Sequence, residues 1–386
     1  MIKMLETLFN PKKIGNIEVP NRLIRSATFT NMASPDGNPS DLFIEFYSAL
    51  AKGGTGLIIT GMASIDQVGR FSKGQLLFTD DSQIAGHKKM TDAIHEYSGV
   101  CIAPQLNHAG RAGMNPKFQA VTPSPSPNPF TKKMSREATA EDIKDIVKSF
   151  GSAARRAYES GYDMIQLHGG HGFLLSNFLS PHVNKRTDDY GGSIENRTRI
   201  TVEIYNEIRD QVGKNYPIMI KLNIDDYCEG GLNFEDGKNA VKILIDAGID
   251  AIEPTGGGPD TMLNPEGPSY PMAKISSPEE ENYFLPKLKE LKPLMKEKPL
   301  ILMGGIRNPE FAEKLLTEGT GDFIALSRPL IHEPNLPNRW KNGDLSPPLC
   351  VSCNKCATTG MGTSTLYCVV RRKAEKRRKR LEAKGK

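Results

Sequence analysis

The sequence predicts an α/β fold, an eight-stranded (β/α)8 TIM barrel with a short C-terminal cysteine-rich extension. Eight apolar runs of strand length alternate with segments of helical periodicity over most of the 386 residues. In addition, no G-x-G-x-x-G motif follows the first predicted strand, so a doubly wound dinucleotide-binding sheet lacks its main support.

The strands and helices are predicted from the apolar spacing. Residues 8–21 are expected to form a short hairpin or lid before the first strand, and the proline-rich residues 112–136 an excursion over the barrel mouth. The predicted strands are 22–27, 56–60, 100–106, 162–167, 218–222, 249–253, 300–303 and 322–326. The predicted helices are 40–52, 82–97, 139–160, 194–212, 234–247, 279–297 and 309–318.

Composition and charge exclude several classes of protein. With 38% hydrophobic and 25% charged residues, the chain resembles an ordinary soluble protein. No apolar run approaches the ~20 residues of a membrane helix, and the first residues lack a signal-peptide core, so we expect a cytoplasmic protein. The net charge of +5 is concentrated in residues 371–386, which hold ten Lys/Arg and two Glu. The remainder is slightly acidic, so we expect no nucleic-acid binding.

Polar residues follow the predicted strands at the end where barrels carry their active sites. Gly304-Gly305 and Ser327-Arg328 follow strands seven and eight, where backbone N–H groups and an arginine commonly bind a phosphate. His168 and His171, three residues apart after the fourth strand, could bind a carbonyl or phenolate oxygen, or could simply hydrogen-bond within their own loop. The residues at the strand ends are Ser26, Ala27, Thr28, Thr60, Gly61, Gln105, His168, His171, Lys221, Glu253, Gly304, Gly305, Ser327 and Arg328. This layout predicts a phosphorylated flat cofactor with a substrate stacked above it.

Three motifs resemble the Old Yellow Enzyme family of FMN-dependent barrel reductases. They are Asn21-Arg22-Leu-Ile, Gln105-Leu-Asn-His-Ala-Gly-Arg111, and the long segment from His168-x-x-His171 to Asn196-Arg197. The resemblance implies that hydride passes from NAD(P)H through FMN to an α,β-unsaturated carbonyl or related small molecule. His168 and His171 would then hold the oxygen of the activating group. The same resemblance implies that FMN is bound by Ser26, Ala27, Thr28, Gly61, Gln105, Lys221, Gly304, Gly305, Ser327 and Arg328.

The sequence departs from the family pattern at two positions. Phe173 stands where members commonly carry a proton-donating tyrosine, and Phe29 stands where some carry a flavin-tuning Cys or Thr. Either the proton comes from water, His171 or Tyr227, or the natural reaction is not simple alkene reduction. Substrate specificity is expected to reside in residues 112–136 and 255–275.

Four cysteines cluster after the barrel, at Cys350, Cys353, Cys356 and Cys368. In a chain without an export signal, such clustering favours a metal or cluster site over disulfides. The spacing resembles the [4Fe–4S] ligands of 2,4-dienoyl-CoA reductase and trimethylamine dehydrogenase, although their third gap is one residue longer. Zinc and free thiols are the alternatives. A cluster would need an electron-carrier protein as partner, such as a ferredoxin or a flavoprotein.

The chain is therefore divided into three predicted parts. Residues 1–345 form the FMN-binding barrel, 346–370 the cysteine-rich segment and 371–386 a basic tail. We expect a homo-oligomer. Alternative functions are an Fe–S-linked dehydrogenase or demethylase, an electron-transfer subunit, and an aldolase-like barrel in which Lys221 forms a Schiff base.

Overall fold

A computed structural model describes residues 5–262, 270–360 and 365–384. Its central sheet has the strand order β6-β5-β4-β3-β2-β1-β8-β7 with parallel pairing throughout, and a parallel bridge between Ile252 and Leu300 joins the two ends. This closure confirms the predicted (β/α)8 barrel. The barrel strands are β1 (Leu23–Arg25), β2 (Leu57–Ser64), β3 (Cys101–Asn107), β4 (Ile165–Gly169), β5 (Ile218–Asn223), β6 (Ala251–Thr255), β7 (Ile301–Leu302) and β8 (Phe323–Leu326).

The barrel interior is a layer of buried apolar side chains that alternate with outward-facing ones. Ile59, Met219 and Phe323 belong to the inner cluster, whereas their strand neighbours pack beneath the helices. Ile14 and Val19 join the same inner cluster from an antiparallel hairpin, Lys12–Ile14 with Ile17–Val19. The hairpin predicted near the N-terminus therefore packs against the barrel interior.

Helices surround the sheet, and two of them begin at side chains that cap their first N–H groups. Ser193 accepts a hydrogen bond from the Asn196 amide, and Thr139 and Asp142 form a capping box. The main helices are α1 (Asp41–Lys52), α2 (Ile84–His95), α3 (Ala140–Glu159), α4 (Ile194–Val212), α5 (Phe234–Ala247), α6 (Leu285–Leu291), α7 (Pro309–Thr317) and α8 (Leu336–Lys341). Shorter helices are Glu6–Phe9, Leu174–Leu179, Pro259–Met262, Arg328–His332 and Lys355–Gly360.

The prediction of one helix over 279–297 is wrong. A 3-10 turn at Pro278–Glu280, helix α6 and a second 3-10 turn at Lys292–Met295 occupy this stretch. A proline lies in the first turn of each piece. Because proline has no N–H to donate, it starts a helical segment more readily than it continues one.

Two segments outside the β/α repeat cover the C-terminal end of the barrel. Loop 112–136 holds the short strand Val121–Thr122, which pairs in parallel with Arg136–Glu137. The cysteine-rich segment packs against the barrel, since the Leu366 amide donates to the Thr30 carbonyl at 2.8 Å. A basic helix, Val369–Lys384, follows it. Within the described ranges, no helix is long and apolar enough to span a bilayer.

Candidate functional site

A cavity of about 270 Å³ lies at the C-terminal end of the barrel. Every predicted binding or catalytic residue lines it except Gly61: Ser26, Ala27, Thr28, Gln105, His168, His171, Lys221, Gly304, Gly305, Ser327 and Arg328. A Cβ on Gly61 would lie only 2.6 Å from the Thr28 carbonyl oxygen. Gly61 therefore lets the backbone after β1 approach β2, and Met62 beside it lines the cavity instead.

The two histidines enter the cavity from the end of β4 and the turn that follows. Their ring centroids are 5.2 Å apart, with the rings nearly perpendicular. His171 has a left-handed backbone with φ of 57°, which is uncommon for a non-glycine residue. The Asn223 amide oxygen accepts from the His171 backbone N–H at 3.2 Å, and the Thr255 hydroxyl lies 2.9 Å from Nε2. Strands β5 and β6 thus hold this strained turn in place.

Both imidazoles are uncharged at neutral pH. Burial, reinforced by the neighbouring His171 and Lys221, lowers the pKa of His168 well below its usual value. Burial and Lys221 lower the pKa of His171 to about 3. The buried Nδ1 of His168 has no hydrogen-bond partner among the described residues. The pair can therefore offer neutral hydrogen-bonding groups to a ligand oxygen.

A buried polar network crosses the barrel below the histidines. The Lys221 ammonium lies 2.9 Å from a carboxylate oxygen of Glu253 and donates to the Ser26 hydroxyl at 2.7 Å. The Gln166 amide donates to the other Glu253 oxygen at 2.8 Å and accepts from Gln105, also at 2.8 Å. Gln166 was not predicted as a site residue, although its position two residues before His168 puts it on the same face of β4. A Schiff base at Lys221 would break its ion pair, so the geometry disfavours the aldolase alternative.

The cavity carries positive charge at the ends of β7 and β8. Arg307 and Arg328 line it there, and no Asp or Glu is among the described lining residues. Gly304 and Gly305 have φ of 122° and 82°, a left-handed backbone that favours glycine. A Cβ on Gly305 would lie 2.5 Å from the Ile275 side chain. This part of the cavity suits an anionic group.

Four phenylalanines form an aromatic wall, defined here as Phe29, Phe71, Phe130 and Phe173, and all four line the cavity. Phe71 meets Phe29 and Phe173 edge-on at centroid distances of 5.7 Å each, and Phe130 at 6.0 Å. Phe173 lies 4.9 Å from the His168 ring. Phe130 lies in the segment 112–136 that was expected to set specificity, although it was not singled out. Phe71 was not predicted, because it lies in a loop where no periodicity indicates the direction of a side chain.

The position of Tyr227 does not fit its expected role as a proton donor. Tyr227 does not line the cavity; its ring packs against Tyr270 at 4.9 Å, and the Lys287 ammonium lies 4.2 Å from its centroid. Tyr283 does line the cavity, but its hydroxyl donates to the Pro271 carbonyl at 2.8 Å. This placement disfavours Tyr227 as a proton donor. Of the expected specificity segment 255–275, residues 263–269 lie outside the described residues.

The four clustered cysteines line a second, smaller cavity beside Arg328 and His332. Cys350 and Cys356 also line the main cavity, so the two spaces share a wall. The Cys368 sulfur lies 3.3 Å from His332 Nδ1. Within the described residues, no three His, Cys, Asp or Glu side chains are arranged as a metal site. The structure therefore brings the thiols to one cavity without showing a metal centre.

Residues 7–345 match the NADH:flavin oxidoreductase / NADH oxidase family. The chain belongs to this family. The match covers the whole barrel and confirms the resemblance that the motifs predicted; the cysteine-rich segment and the basic helix lie beyond the matched residues.

Individual relatives differ in length and in the reactions named for them. An NADH oxidase from Thermoanaerobacter brockii is 38% identical over 90% of this chain, which spans about half (52%) of that relative. A 4,4'-dithiodibutanoate disulfide reductase from Rhodococcus erythropolis is 31% identical, with 95% of both chains covered. The structure of a 2-naphthoyl-CoA reductase complex superimposes with a TM-score of 0.87 at 30% identity, covering 95% of this chain and 57% of that one.

Proposed function

We propose that this protein is an FMN-dependent oxidoreductase that passes hydride from NAD(P)H to an α,β-unsaturated carbonyl or related small molecule. The observation that carries the proposal is that one cavity combines two neutral histidines, a buried lysine and a cationic, glycine-lined end. Membership of the NADH:flavin oxidoreductase family supports the choice of both cofactors.

The cavity has the features that FMN requires. Arg328 with the Gly304-Gly305 turn supplies a cation and a bent backbone for the phosphate, in a cavity whose described lining residues include no carboxylate. Gln105 and Lys221 would meet the polar edge of the flavin ring, where Lys221 opposes negative charge. When bound, FMN supplies a hydride acceptor for NAD(P)H and a hydride donor for the substrate.

The protein residues would orient and polarise the substrate. His168 and His171 would hydrogen-bond the carbonyl oxygen and stabilise the negative charge that develops on it as hydride reaches the β-carbon. Because both imidazoles are neutral, they can stabilise this charge without themselves losing or gaining a proton. Phe173 cannot supply the proton that the α-carbon needs, so we assign that proton to water entering the cavity.

The aromatic wall points to substrates with a flat apolar group. Edge-to-face contacts with Phe71 and Phe130 would hold an aryl ring while the histidines hold its activating carbonyl. The similar 2-naphthoyl-CoA reductase is named for a substrate whose naphthoyl group is such a ring. We therefore include aryl-conjugated enones and enoyl thioesters in the proposed substrate class.

The test is a steady-state assay of anaerobic NAD(P)H oxidation with 4-phenyl-3-buten-2-one and with 3-penten-2-one, which lacks the ring. We expect turnover of both and a lower KM for the aryl compound. A Phe71→Ala variant should remove that preference, and Phe78→Ala is the matched control, since Phe78 is buried outside the cavity. If neither enone is reduced while the protein contains FMN, the proposed substrate class is wrong.

A second candidate feature is an iron–sulfur cluster or a zinc ion at the four cysteines. Its support is that Cys350, Cys353, Cys356 and Cys368 line one cavity that shares a wall with the proposed FMN site. Four thiolates suit either a [4Fe–4S] cluster or zinc. Iron and zinc analysis of anaerobically purified protein separates the two, with about four irons per chain expected for a cluster. Metal-free protein would refute both.

The partner, the oligomeric state and the location of the protein are further predictions. If a cluster is present, a protein electron carrier could supply electrons to it. Homo-oligomerisation and a cytoplasmic location stay predictions.

A further inference from the structure

Glu253 is a buried carboxylate that contacts residues of the main cavity wall from behind. It lies in β6, is fully buried, and is not among the described residues that line the cavity. The Ser26 hydroxyl donates to its Oε1 at 2.7 Å, and the Gln166 side-chain amide donates to its Oε2 at 2.8 Å. The Lys221 ammonium lies 2.9 Å from Oε1. Glu253 therefore joins side chains from β4, β5 and the end of β1, and both of its oxygens have donors.

The carboxylate fixes the direction of a chain of two amides. An ionised carboxylate only accepts hydrogen bonds, whereas a glutamine amide donates at one end and accepts at the other. Gln166 must therefore turn its NH2 group toward Glu253, and its carbonyl oxygen accepts from Gln105 at 2.8 Å. Because Gln105 uses an N–H on this contact, its carbonyl oxygen is left as an acceptor for a ligand in the cavity that it lines. Without the carboxylate, both amides could turn over.

The same carboxylate sets the charge beside the cavity at Lys221. Of the three N–H groups of the ammonium, one donates to the Ser26 hydroxyl at 2.7 Å and one is directed to Glu253, so the third is available to a ligand. The Lys221 side chain is only 3% exposed, so solvent screens its charge little. Glu253 therefore offsets much of the positive charge that Lys221 presents to the cavity.

We propose that Glu253 is a positioning residue of the FMN site, which holds Lys221 and, through Gln166, the amide of Gln105, and which sets the balance between oxidised and reduced FMN. The inference rests on the proposed function and adds a residue to it. The polar edge of the flavin ring alternates carbonyl oxygens with an N–H group, so an acceptor from Gln105 and a donor from Lys221 match it.

The charge of Glu253 bears on the reduced form of the cofactor. Two-electron reduction with uptake of one proton leaves a negative charge on the flavin ring, which a cation beside the ring stabilises. Because Glu253 offsets the charge of Lys221, it limits how strongly the site favours reduced FMN over oxidised FMN. Removal of the carboxylate should therefore raise the midpoint potential of the bound flavin.

The test measures two quantities on variants of the full chain. The Kd of oxidised FMN is obtained by titrating FMN-depleted protein and following the quenching of flavin fluorescence. The two-electron midpoint potential of bound FMN is obtained by anaerobic equilibration with a redox dye. The two quantities are linked, because a tenfold change in the ratio of the Kd values for oxidised and reduced FMN shifts the potential by about 30 mV.

Glu253→Gln keeps the shape of the side chain and removes its charge. We expect the Kd of oxidised FMN to rise about tenfold and that of reduced FMN to stay constant, so the potential should rise by about 30 mV. Asp250→Asn is the matched control, because it removes a carboxylate from another buried ion pair, with Arg209 at 2.6 Å, at the opposite end of β6. It should change neither quantity.

Gln166→Met separates the orientation of the amides from the charge. It removes the link to Gln105 and leaves the ion pair of Glu253 and Lys221, so both forms of FMN should bind about tenfold more weakly and the potential should stay constant. This variant also decides the matter where Glu253→Gln does not fold.

Three results would overturn the inference. They are unweakened FMN binding by Gln166→Met, a potential that does not rise in Glu253→Gln, and equal shifts in Glu253→Gln and Asp250→Asn. If the unaltered chain binds no FMN, the proposed function itself is overturned, and this inference with it. The unaltered chain therefore distinguishes the two failures.

Discussion

His168 and His171 illustrate how burial sets the chemistry of single residues. Both rings lie in the cavity wall with lowered pKa values, so they act as neutral hydrogen-bonding groups. Replacing either with alanine should reduce kcat/KM for an enone by about 10²–10³, the usual cost of losing one oxyanion contact. FMN content should remain unchanged. Thr255→Val, which removes only the 2.9 Å contact to His171, should have a smaller effect.

The same pKa values predict the pH profile. Because His171 takes up a proton only near pH 3, kcat/KM should not show an ionisation near the usual histidine pKa of 6.5. Activity should stay level as the pH falls from 8 to 5.5, measured in buffers of constant ionic strength. A decline centred near pH 6.5 that disappears in His171→Asn would contradict the assignment of neutral imidazoles.

Phe173 has no hydroxyl group that could donate a proton to a substrate. Its ring lines the cavity, 4.9 Å from that of His168. Phe173→Tyr should increase enone reduction at least tenfold, since a positioned general acid typically contributes about 10²–10⁴. Phe173→Leu is the control for altered packing. An unchanged rate in Phe173→Tyr would mean that proton transfer does not limit turnover.

Among the helices, α2 carries two histidines with opposite effects on stability. His87 is buried between Tyr162 and the Leu77 carbonyl, and burial lowers its pKa to about 4. The unfolded chain therefore binds one more proton than the folded one between about pH 6.5 and pH 4. As the pH falls through this range, His87 alone should lower the free energy of unfolding by about 1.4 kcal/mol per pH unit.

His95, at the end of the same helix, has its pKa raised by a hydrogen bond to Asp163. The charged His95 therefore stabilises the fold fully below the pKa that it has in the unfolded chain. This stabilisation is lost as the pH rises through the pKa that His95 has in the folded chain. Urea unfolding at pH 7, 6 and 5 should therefore show a shallower pH slope in His87→Gln and a steeper one in His95→Gln. Equal slopes in both variants would contradict this assignment.

Helices were predictable where local chemistry decides their ends. The Thr139 capping box and the Ser193 cap are present because the side chains that satisfy the first N–H groups are adjacent in sequence. The 279–297 stretch was not predictable by spacing, since its apolar pattern continues through prolines that break the backbone hydrogen bonding. Periodicity reports which face is buried, not whether the helix is continuous.

Across the whole molecule, the barrel made most of the site predictable. Parallel strands bring their C-terminal ends together, so residues far apart in sequence, such as Ser26, Lys221 and Arg328, could be assigned to one cavity. The positions of loop residues could not be predicted from the strand order. Phe71 and Phe130 reach the cavity through tertiary contacts, and the shared wall with the cysteine cavity likewise depends on how the C-terminal segment folds back.

The proposed flavin chemistry is best tested by an anaerobic absorption spectrum of the purified protein, followed by titration with NAD(P)H and then with 4-phenyl-3-buten-2-one. We expect flavin bands that NAD(P)H bleaches and the enone restores, with normal bleaching but slow restoration in His168→Ala. A colourless protein that does not take up added FMN would show that the barrel is not a flavin site.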